Sequence, residues 1–115
     1  MNIEQWLSRF DNAWKNHDIT GVMELFTDDV KYWETPHLLL ETKDVLKKEW
    51  ASIKYQENIN HQTNVFCSSP DNKHAVLWKL SYKKDNKIVE SAGTYLIGLD
   101  NSGKCNFFHY TSQPK

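Results

Sequence analysis

The amino-acid sequence predicts an α+β fold in which three N-terminal helices pack on the concave face of a curved antiparallel sheet. Apolar residues recur at steps of three and four in the first half of the chain, which is the helical period. Extended runs separated by strong turn residues fill the second half. No internal repeat, linker or low-complexity tract interrupts the 115 residues, so we expect one domain over residues 1–115.

Three segments of the first half carry helical signals. In the segment IEQWLSRFDNAWK the apolar residues fall on one stripe of an amphipathic helix. Asp18 stands at the N-cap of a second, shorter helix, which we expect to end at the polar residues 27–29. Thr42 caps a third helix predicted over residues 43–56, whose inner face comprises Val45, Leu46, Trp50 and Ile53.

Extended runs complete the predicted elements. The short runs VKYW and HLLL lie between the second and third helices. Four longer runs follow, which are INHQTNVFC, HAVLWKLSYK, KIVESAGTYLIGL and KCNFFHYTS. The turn sequences SSPDNK, KDN and DNSG separate them, and such hairpin-length connections predict a meandering antiparallel sheet.

The charge balance argues against several classes of partner. Lys and Arg number 14 and Asp and Glu number 15, so the net charge of −1 gives no electrostatic footprint for nucleic acid. Arg9 is the only arginine, which disfavours a highly charged ligand. The five histidines are scattered and no glycine-rich phosphate loop occurs, so we expect neither a metal nor a cofactor.

The cysteines and the N-terminal residues predict a cytoplasmic location. Cys67 and Cys105 lie far apart in the sequence without a disulfide or zinc pattern, which indicates two free thiols. The opening residues MNIEQWLSRFDNAW lack the apolar stretch of a signal peptide, and no run approaches membrane-spanning length. We therefore expect no membrane association.

Aromatic residues are the unusual feature of the composition. They make up 13% of a chain whose mean hydropathy is −0.71, and five of them are tryptophans. Large rigid rings line concave sites as readily as they fill cores. We therefore predict an aromatic-lined pocket between the helices and the sheet, with plain core packing as the alternative. The tryptophans predicted to bind a ligand there are Trp14, Trp33, Trp50 and Trp78.

Two stretches resemble the NTF2-like superfamily, which includes the SnoaL-like and ketosteroid-isomerase-like proteins. RFDNAWKNHDITGVMELFTDDVKYWETP is similar to the opening pattern of this group, and DNSGKCNFFHY is similar to its last hairpin and final strand. The resemblance implies a cone-shaped NTF2-like scaffold and a homodimer that pairs through the outer face of the sheet. It implies no single activity, because this fold serves isomerases, cyclases, dehydratases, small-ligand binders and protein-interaction domains.

The same resemblance implies a position for a catalytic base. The isomerases carry a general-base aspartate five residues beyond the second acid of an Asp-Asp pair, and that count from Asp29 reaches Glu34. Beside Trp33 a carboxylate can lose hydration, which raises its pKa and suits a base. The alternative is a solvated turn residue before Pro36. Phe10 stands where the isomerases have an oxyanion-binding tyrosine, so true ketosteroid isomerase activity is not expected.

Two further positions are candidate hydrogen-bond donors. The second donor of the isomerases corresponds to Thr94 or Tyr95, depending on the direction of counting, and a shift of one residue moves a strand side chain to the other face. His109 is the other candidate, because the final strand of this fold can turn alternate residues inward. A histidine satisfied within the sheet is the alternative for that position.

The sequence therefore predicts a protein that binds a small apolar molecule in an aromatic-lined pocket. If it is an enzyme, we expect cofactor-independent isomerisation, cyclisation or dehydration, with Glu34 as base and Tyr95 or His109 as donor. Two other classes stay open. A ligand carrier or sensor needs only a closed apolar cavity, whereas a protein-interaction module should have a filled core and an exposed apolar patch.

Overall fold

A computed structural model of the chain describes residues 1–115. It has three helices in the first half of the sequence and one six-stranded sheet, most of whose strands follow the helices. The helices are α1 (Ile3–Lys15), α2 (Ile19–Met23) and α3 (Lys43–Trp50), and a 3-10 turn over Ala51–Tyr55 follows α3. The strands are β1 (Phe26–Thr35), β2 (Leu38–Leu40), β3 (Glu57–Ser68), β4 (Lys73–Lys84), β5 (Lys87–Leu99) and β6 (Cys105–Pro114). The predicted α+β class is confirmed. Each helix is too short or too polar to serve as a membrane span.

Helix α1 follows its predicted apolar stripe. Its N-cap is Asn2, whose side chain accepts a hydrogen bond from the Gln5 backbone N–H at 2.9 Å. The Gln5 side chain in turn accepts one from the Asn2 N–H at 3.0 Å, which makes a capping box. The buried side of α1 comprises Ile3, Trp6, Leu7, Phe10 and Trp14.

Helix α2 ends earlier than the sequence predicts. Asp18 caps it as expected, accepting a hydrogen bond from the Gly21 N–H at 2.9 Å, but the helix stops at Met23. The backbone shortly after Met23 already pairs with the sheet, because the Cys105 N–H donates a hydrogen bond to the Leu25 carbonyl at 2.8 Å. The predicted helix end at residues 27–29 is therefore wrong, and those residues belong to β1.

Helix α3 is capped by Thr42, whose hydroxyl accepts a hydrogen bond from the Val45 N–H at 3.2 Å. Leu46, Trp50 and Ile53 are buried as predicted. Val45 is 41% exposed, so its predicted place on the inner face is wrong. It precedes Leu46 by one residue, which turns its side chain about 100° around the helix, away from the sheet.

The strands lie in the order β2-β1-β6-β5-β4-β3. Neighbours from β3 to β6 are antiparallel, as the hairpin connections predict, and so are β1 and β2. The pair β1 and β6 is parallel, which makes the sheet mixed rather than wholly antiparallel. Because α3 and four strands separate this pair in the chain, no hairpin sets its direction.

The helices and the concave face of the sheet enclose an aromatic core. Tyr32 on β1, Tyr95 on β5 and Phe108 on β6 are each 5% exposed or less. Phe10 on α1 packs against two of them, with its ring centroid 5.9 Å from that of Phe108 and 6.1 Å from that of Tyr95. Aromatic pairs of this kind contribute about 0.5–1.5 kcal/mol each beyond area burial. Ring contacts therefore tie α1 to the sheet.

Gly93 allows two strands to approach closely behind the core. It lies on β5, paired with Trp78 on β4 and with Ser112 on β6. A Cβ atom at this position would lie 1.8 Å from the Thr111 carbonyl oxygen and 3.1 Å from the Trp78 ring. Only glycine fits here without movement of the backbone of β6.

Candidate ligand-binding cavity

A cavity of about 240 Å³ lies between α1, α3 and the concave face of the sheet. Its buried walls are mainly aromatic and comprise Phe10, Trp14, Tyr32, Trp50, Trp78, Tyr95 and Phe108, together with Ile53. Its polar lining residues are partly or fully exposed and comprise Glu34, Glu49, Ser52, Gln56, Ser91 and Ser112. The cavity thus has an apolar interior and a polar, acidic edge.

Three of the four predicted tryptophans line this cavity. Trp14 and Trp50 meet edge to face with ring centroids 4.9 Å apart, and Trp78 stacks on Tyr95 at 5.3 Å. The Trp14 indole N–H donates to the Gln56 side chain at 2.8 Å. The Trp78 indole nitrogen is buried without a hydrogen-bond partner. The predicted aromatic pocket is therefore present, and it shares its walls with the core.

Trp33 and His109 do not line the cavity. Alternate residues of β1 face inward, so Tyr32 and Glu34 line the cavity while Trp33 lies on the outer face. On β6, Phe108 faces inward and His109 outward, where its ring centroid is 6.3 Å from that of Trp33. The sequence prediction places Trp33 and His109 at the cavity, whereas each lies one strand position away from a residue that lines it.

The choice between Thr94 and Tyr95 is decided by the strand register. Tyr95 is 3% exposed and lines the cavity, whereas Thr94 pairs with Leu77 and Thr111 on the outer face. The hydroxyl oxygen of Tyr95 lies 2.7 Å from the Nε2 atom of His61, a β3 residue that is 4% exposed. Tyr95 therefore connects the cavity wall to a buried histidine behind it.

Glu34 lies at the acidic edge of the cavity, next to Glu49 of α3. Loss of hydration raises the pKa of Glu34 above its ordinary value. The charge of Glu49 and a hydrogen bond between the two carboxyl groups raise this pKa further. Burial raises the pKa of the neighbouring Tyr110 to about 12, and the charges of Glu34 and Glu49 add to that shift. Burial and the neighbouring acid thus both favour the neutral form of Glu34.

His61 connects Tyr95 to α1. Its Nδ1 atom lies 3.3 Å from an Asp11 carboxylate oxygen, and neither of these two buried atoms makes a regular hydrogen bond. The other oxygen of Asp11 lies 3.0 Å from the Lys15 ammonium. Burial lowers the pKa of His61 to about 4, although the nearby Asp11 acts in the opposite direction. The row Asp11, His61 and Tyr95 thus runs from the surface of α1 to the cavity wall.

No sequence motif marks His61, Asp11, Glu49 or Tyr110 as a site residue. Glu49 sits in the lysine-rich stretch KDVLKKEW, which is typical of a solvated helix face. Its one distinguishing signal is its position directly before the inward-facing Trp50. His61 alternates with polar residues in INHQTNVFC, so no apolar periodicity marks its buried side.

The cavity contains acidic but no basic side chains. Neither Lys nor Arg lines it, and the one arginine lies elsewhere on α1. No group of three or more His, Cys, Asp or Glu side chains is placed to hold a metal ion. The arrangement suits a neutral molecule with a polar group near the carboxyl pair.

Solved structures of other proteins share the fold of this chain. No protein-family model and no curated protein matches the sequence. The structure is similar to Δ5-3-ketosteroid isomerase from Mycobacterium sp., with a TM-score of 0.82 and 14% identity over 98% of both chains. An NTF2-like protein of unknown function from Exiguobacterium sp. 255-15 aligns with a TM-score of 0.76 and 15% identity over 94% of this chain and 98% of its own.

A third solved structure was determined with a ligand. It is a Mycobacterium tuberculosis protein in complex with estradiol-17β-hemisuccinate, similar at a TM-score of 0.80 and 16% identity over 93% of this chain and 90% of its own. At identities this low the likeness concerns the fold alone. The chain has the NTF2-like fold that its sequence predicts.

Proposed function

We propose that the cavity binds a small, mostly apolar and uncharged molecule, and that Glu34 transfers a proton to or from it. One observation carries this proposal: the Glu34 and Glu49 carboxyl groups lie together at the edge of a cavity whose buried interior is mainly aromatic. The reaction class is a cofactor-independent isomerisation, cyclisation or dehydration.

The chemistry follows from the surroundings of Glu34. A general base works best when its pKa lies near the working pH, and an ordinary carboxylate is too acidic for that. Partial burial and the neighbouring Glu49 both raise the pKa of Glu34, which moves it towards that range. Tyr95 and Tyr110 also line the cavity, and a hydroxyl group can hydrogen-bond a polar group of the ligand.

The size and charge of the cavity narrow the ligand class. Its volume of about 240 Å³ is below the roughly 300–1,000 Å³ of pockets for drug-sized ligands, which favours a molecule of one or two rings. The two carboxyl groups repel an anion, and no lining Lys or Arg offsets them. A similar fold was solved with a steroid derivative, which supports small-molecule binding as the use of this interior.

Hydrogen exchange next to a carbonyl group tests the proposal without knowledge of the natural substrate. A panel of small cyclic ketones that includes 1-indanone is incubated with the protein in D₂O, and loss of the α-proton signals is followed by NMR. We expect exchange with the wild type and a loss of about 100-fold or more in Glu34→Gln, the range for removal of a general base. Glu41→Gln, which changes an exposed acid outside the cavity, is the matched control.

Two outcomes would contradict the catalytic proposal. Exchange that is equally fast in the wild type and Glu34→Gln would remove Glu34 from the chemistry. Binding of the ketones to both proteins without exchange in either would leave a ligand carrier.

We also propose a homodimer that forms through the outer face of the sheet. Leu77 of β4, Leu96 of β5 and Phe107 of β6 are exposed there, at 45%, 44% and 36%. Light scattering should give a dimer mass for the wild type and a monomer mass for Leu96→Lys. Tyr55→Lys, on the 3-10 turn, should remain dimeric. A monomeric wild type would contradict this proposal.

We also propose a cytoplasmic location, which the two cysteines support. Cys67 is exposed and Cys105 is buried, and both are free thiols. An exposed free thiol persists in a reducing compartment. Rapid alkylation of intact cells should find both thiols reduced, and an oxidised Cys67 would contradict the proposal.

A further inference from the structure

We infer that Tyr95 presents a hydrogen-bond acceptor to the cavity, because its hydroxyl donates its one hydrogen bond to His61, and that this wall therefore selects a ligand carrying a hydroxyl or N–H group. This inference rests on the proposed function in one respect, which is that the cavity binds a small molecule. It assigns Asp11 and His61 as positioning residues that act through Tyr95.

The first step is the tautomer of His61. One oxygen of Asp11 is held by Lys15 at 3.0 Å, and the other lies 3.3 Å from His61 Nδ1. Neither that oxygen nor Nδ1 has another hydrogen-bond partner. A carboxylate only accepts hydrogen bonds, so the bare lone pair of Nδ1 would face a negative oxygen. Placing the ring hydrogen on Nδ1 replaces this repulsion by an attraction.

The second step is the direction of the bond between His61 and Tyr95. A neutral imidazole with its hydrogen on Nδ1 has a bare Nε2, which can only accept. The Tyr95 hydroxyl lies 2.7 Å from Nε2 and must therefore donate to it. A phenol has one proton, so the oxygen of Tyr95 keeps only lone pairs for any other partner.

Burial keeps both groups of the pair neutral. Asp11 and Lys15 of α1 face His61 with opposite charges, and burial keeps its pKa below the ordinary value. Burial also raises the pKa of Tyr95 well above its ordinary value. The charges of Tyr32 of β1, Tyr110 of β6 and Asp11 raise this pKa further, by smaller amounts. The phenol therefore remains protonated while its proton points at His61.

The consequence is a preference between two ligands of the same shape. An alcohol or phenol can donate a hydrogen bond to Tyr95, whereas a ketone can only accept and meets an oxygen that has no hydrogen to give. The wall at Tyr95 thus favours a ligand whose polar group donates a hydrogen bond over one whose polar group can only accept.

The tautomer is measured first, in the ligand-free protein. Nitrogen-15 NMR of the histidine side chains at pH 7, assigned by comparison with His61→Gln, distinguishes a protonated Nδ1 from a protonated Nε2. We expect the hydrogen of His61 on Nδ1. A hydrogen on Nε2, or a doubly protonated ring, would overturn the inference whether or not any ligand is known.

The ligand preference is measured second, with 1-indanol and 1-indanone as a matched pair. We expect the wild type to bind the alcohol about 5-fold more tightly, the size of one neutral hydrogen bond. Tyr95→Phe should bind both compounds equally. In Asp11→Asn the amide can donate to Nδ1, which moves the ring hydrogen to Nε2, turns the Tyr95 proton into the cavity and reverses the preference. Asp29→Asn, at an exposed site, is the control.

The possible results separate this inference from the proposed function. Equal binding of both compounds by the wild type, or an Asp11→Asn protein that folds and keeps the preference for alcohol, would overturn the inference. Failure of Glu34→Gln to slow exchange would overturn the proposed catalysis and leave the preference unaffected. If neither compound binds, the small-molecule proposal fails for this class and the NMR result alone decides the state of Tyr95.

Discussion

Glu34 and Trp33 are neighbours in β1, yet only Glu34 lines the cavity. Successive side chains of a strand point to opposite faces of the sheet. When a role is assigned by counting residues, an error of one position therefore places the side chain on the wrong face. The same alternation selects Tyr95 over Thr94 and turns His109 outward. The sequence could predict which residue types lie near the site, but the face of each depends on pairing with strands that are distant in the chain.

The residues missed by sequence reasoning are those whose partners are far away. His61 gains its role from Tyr95, which lies 34 positions later, and Glu49 gains its role from a carboxyl group on β1. Neither pairing leaves a local pattern, because hydrogen bonds across a cavity do not follow a helical or strand period.

The carboxyl pair leads to a prediction about pH. Glu49 raises the pKa of Glu34 through its charge and a hydrogen bond, so Glu49→Gln should lower the pKa of Glu34 towards its ordinary value. The rise of the proton-exchange rate with pH should then begin at a lower pH than in the wild type. A rate profile that is unchanged in Glu49→Gln, with Glu41→Gln as control, would show that the two acids do not interact.

The buried histidine leads to a prediction about stability. The pKa of His61 is about 4 in the folded protein and roughly 6.5 in an unfolded chain, so the unfolded state binds more protons between these values. Stability is therefore lost as the pH falls through this window, by about 2 kcal/mol between pH 7 and pH 5. Urea unfolding of the wild type and His61→Gln measures the effect, and we expect the variant to lose less. An equal loss in both proteins would assign the pH dependence to other groups.

At the scale of elements, the long, strongly periodic segments could be predicted and the ends could not. The apolar stripe of α1 and the four strands of the second half follow from local sequence, because helical and strand periods differ. The end of α2 differs from the prediction because the backbone of β6 pairs with the residues that follow it. The parallel pairing of β1 with β6 has no local signal for the same reason.

Gly93 provides a test of how tightly β5 and β6 are fitted. Gly93→Ala places a methyl group 1.8 Å from the Thr111 carbonyl oxygen, so the backbone must move and we expect a loss of about 2 kcal/mol or more in urea unfolding. Gly98→Ala is a matched control on the same strand. Its new methyl group would lie 3.2 Å from the Asn106 side chain and 3.3 Å from the Phe107 Cβ, and the loss should be smaller. A greater loss in Gly98→Ala would contradict this account of the sheet.

At the scale of the whole molecule, the aromatic residues serve two purposes. The rings of Phe10, Tyr95 and Phe108 tie α1 to the sheet and also form walls of the cavity. Composition and the order of elements could therefore predict an aromatic pocket on this fold. The volume and the acidic edge could not be predicted, because they depend on side-chain rotamers and on the approach of α3 to the end of β1.

The central claim is that a small molecule binds among these rings, and the five tryptophans report on it directly. The indole N–H signals in ¹H–¹⁵N NMR spectra are followed while 1-indanone or 1-indanol is added. Trp14, Trp50 and Trp78 line the cavity, whereas Trp6 is buried away from it and Trp33 lies on the outer face. We predict that the first three signals shift with one binding curve while the other two stay in place. Shifts confined to Trp33, or spread equally over all five, would contradict binding in the cavity.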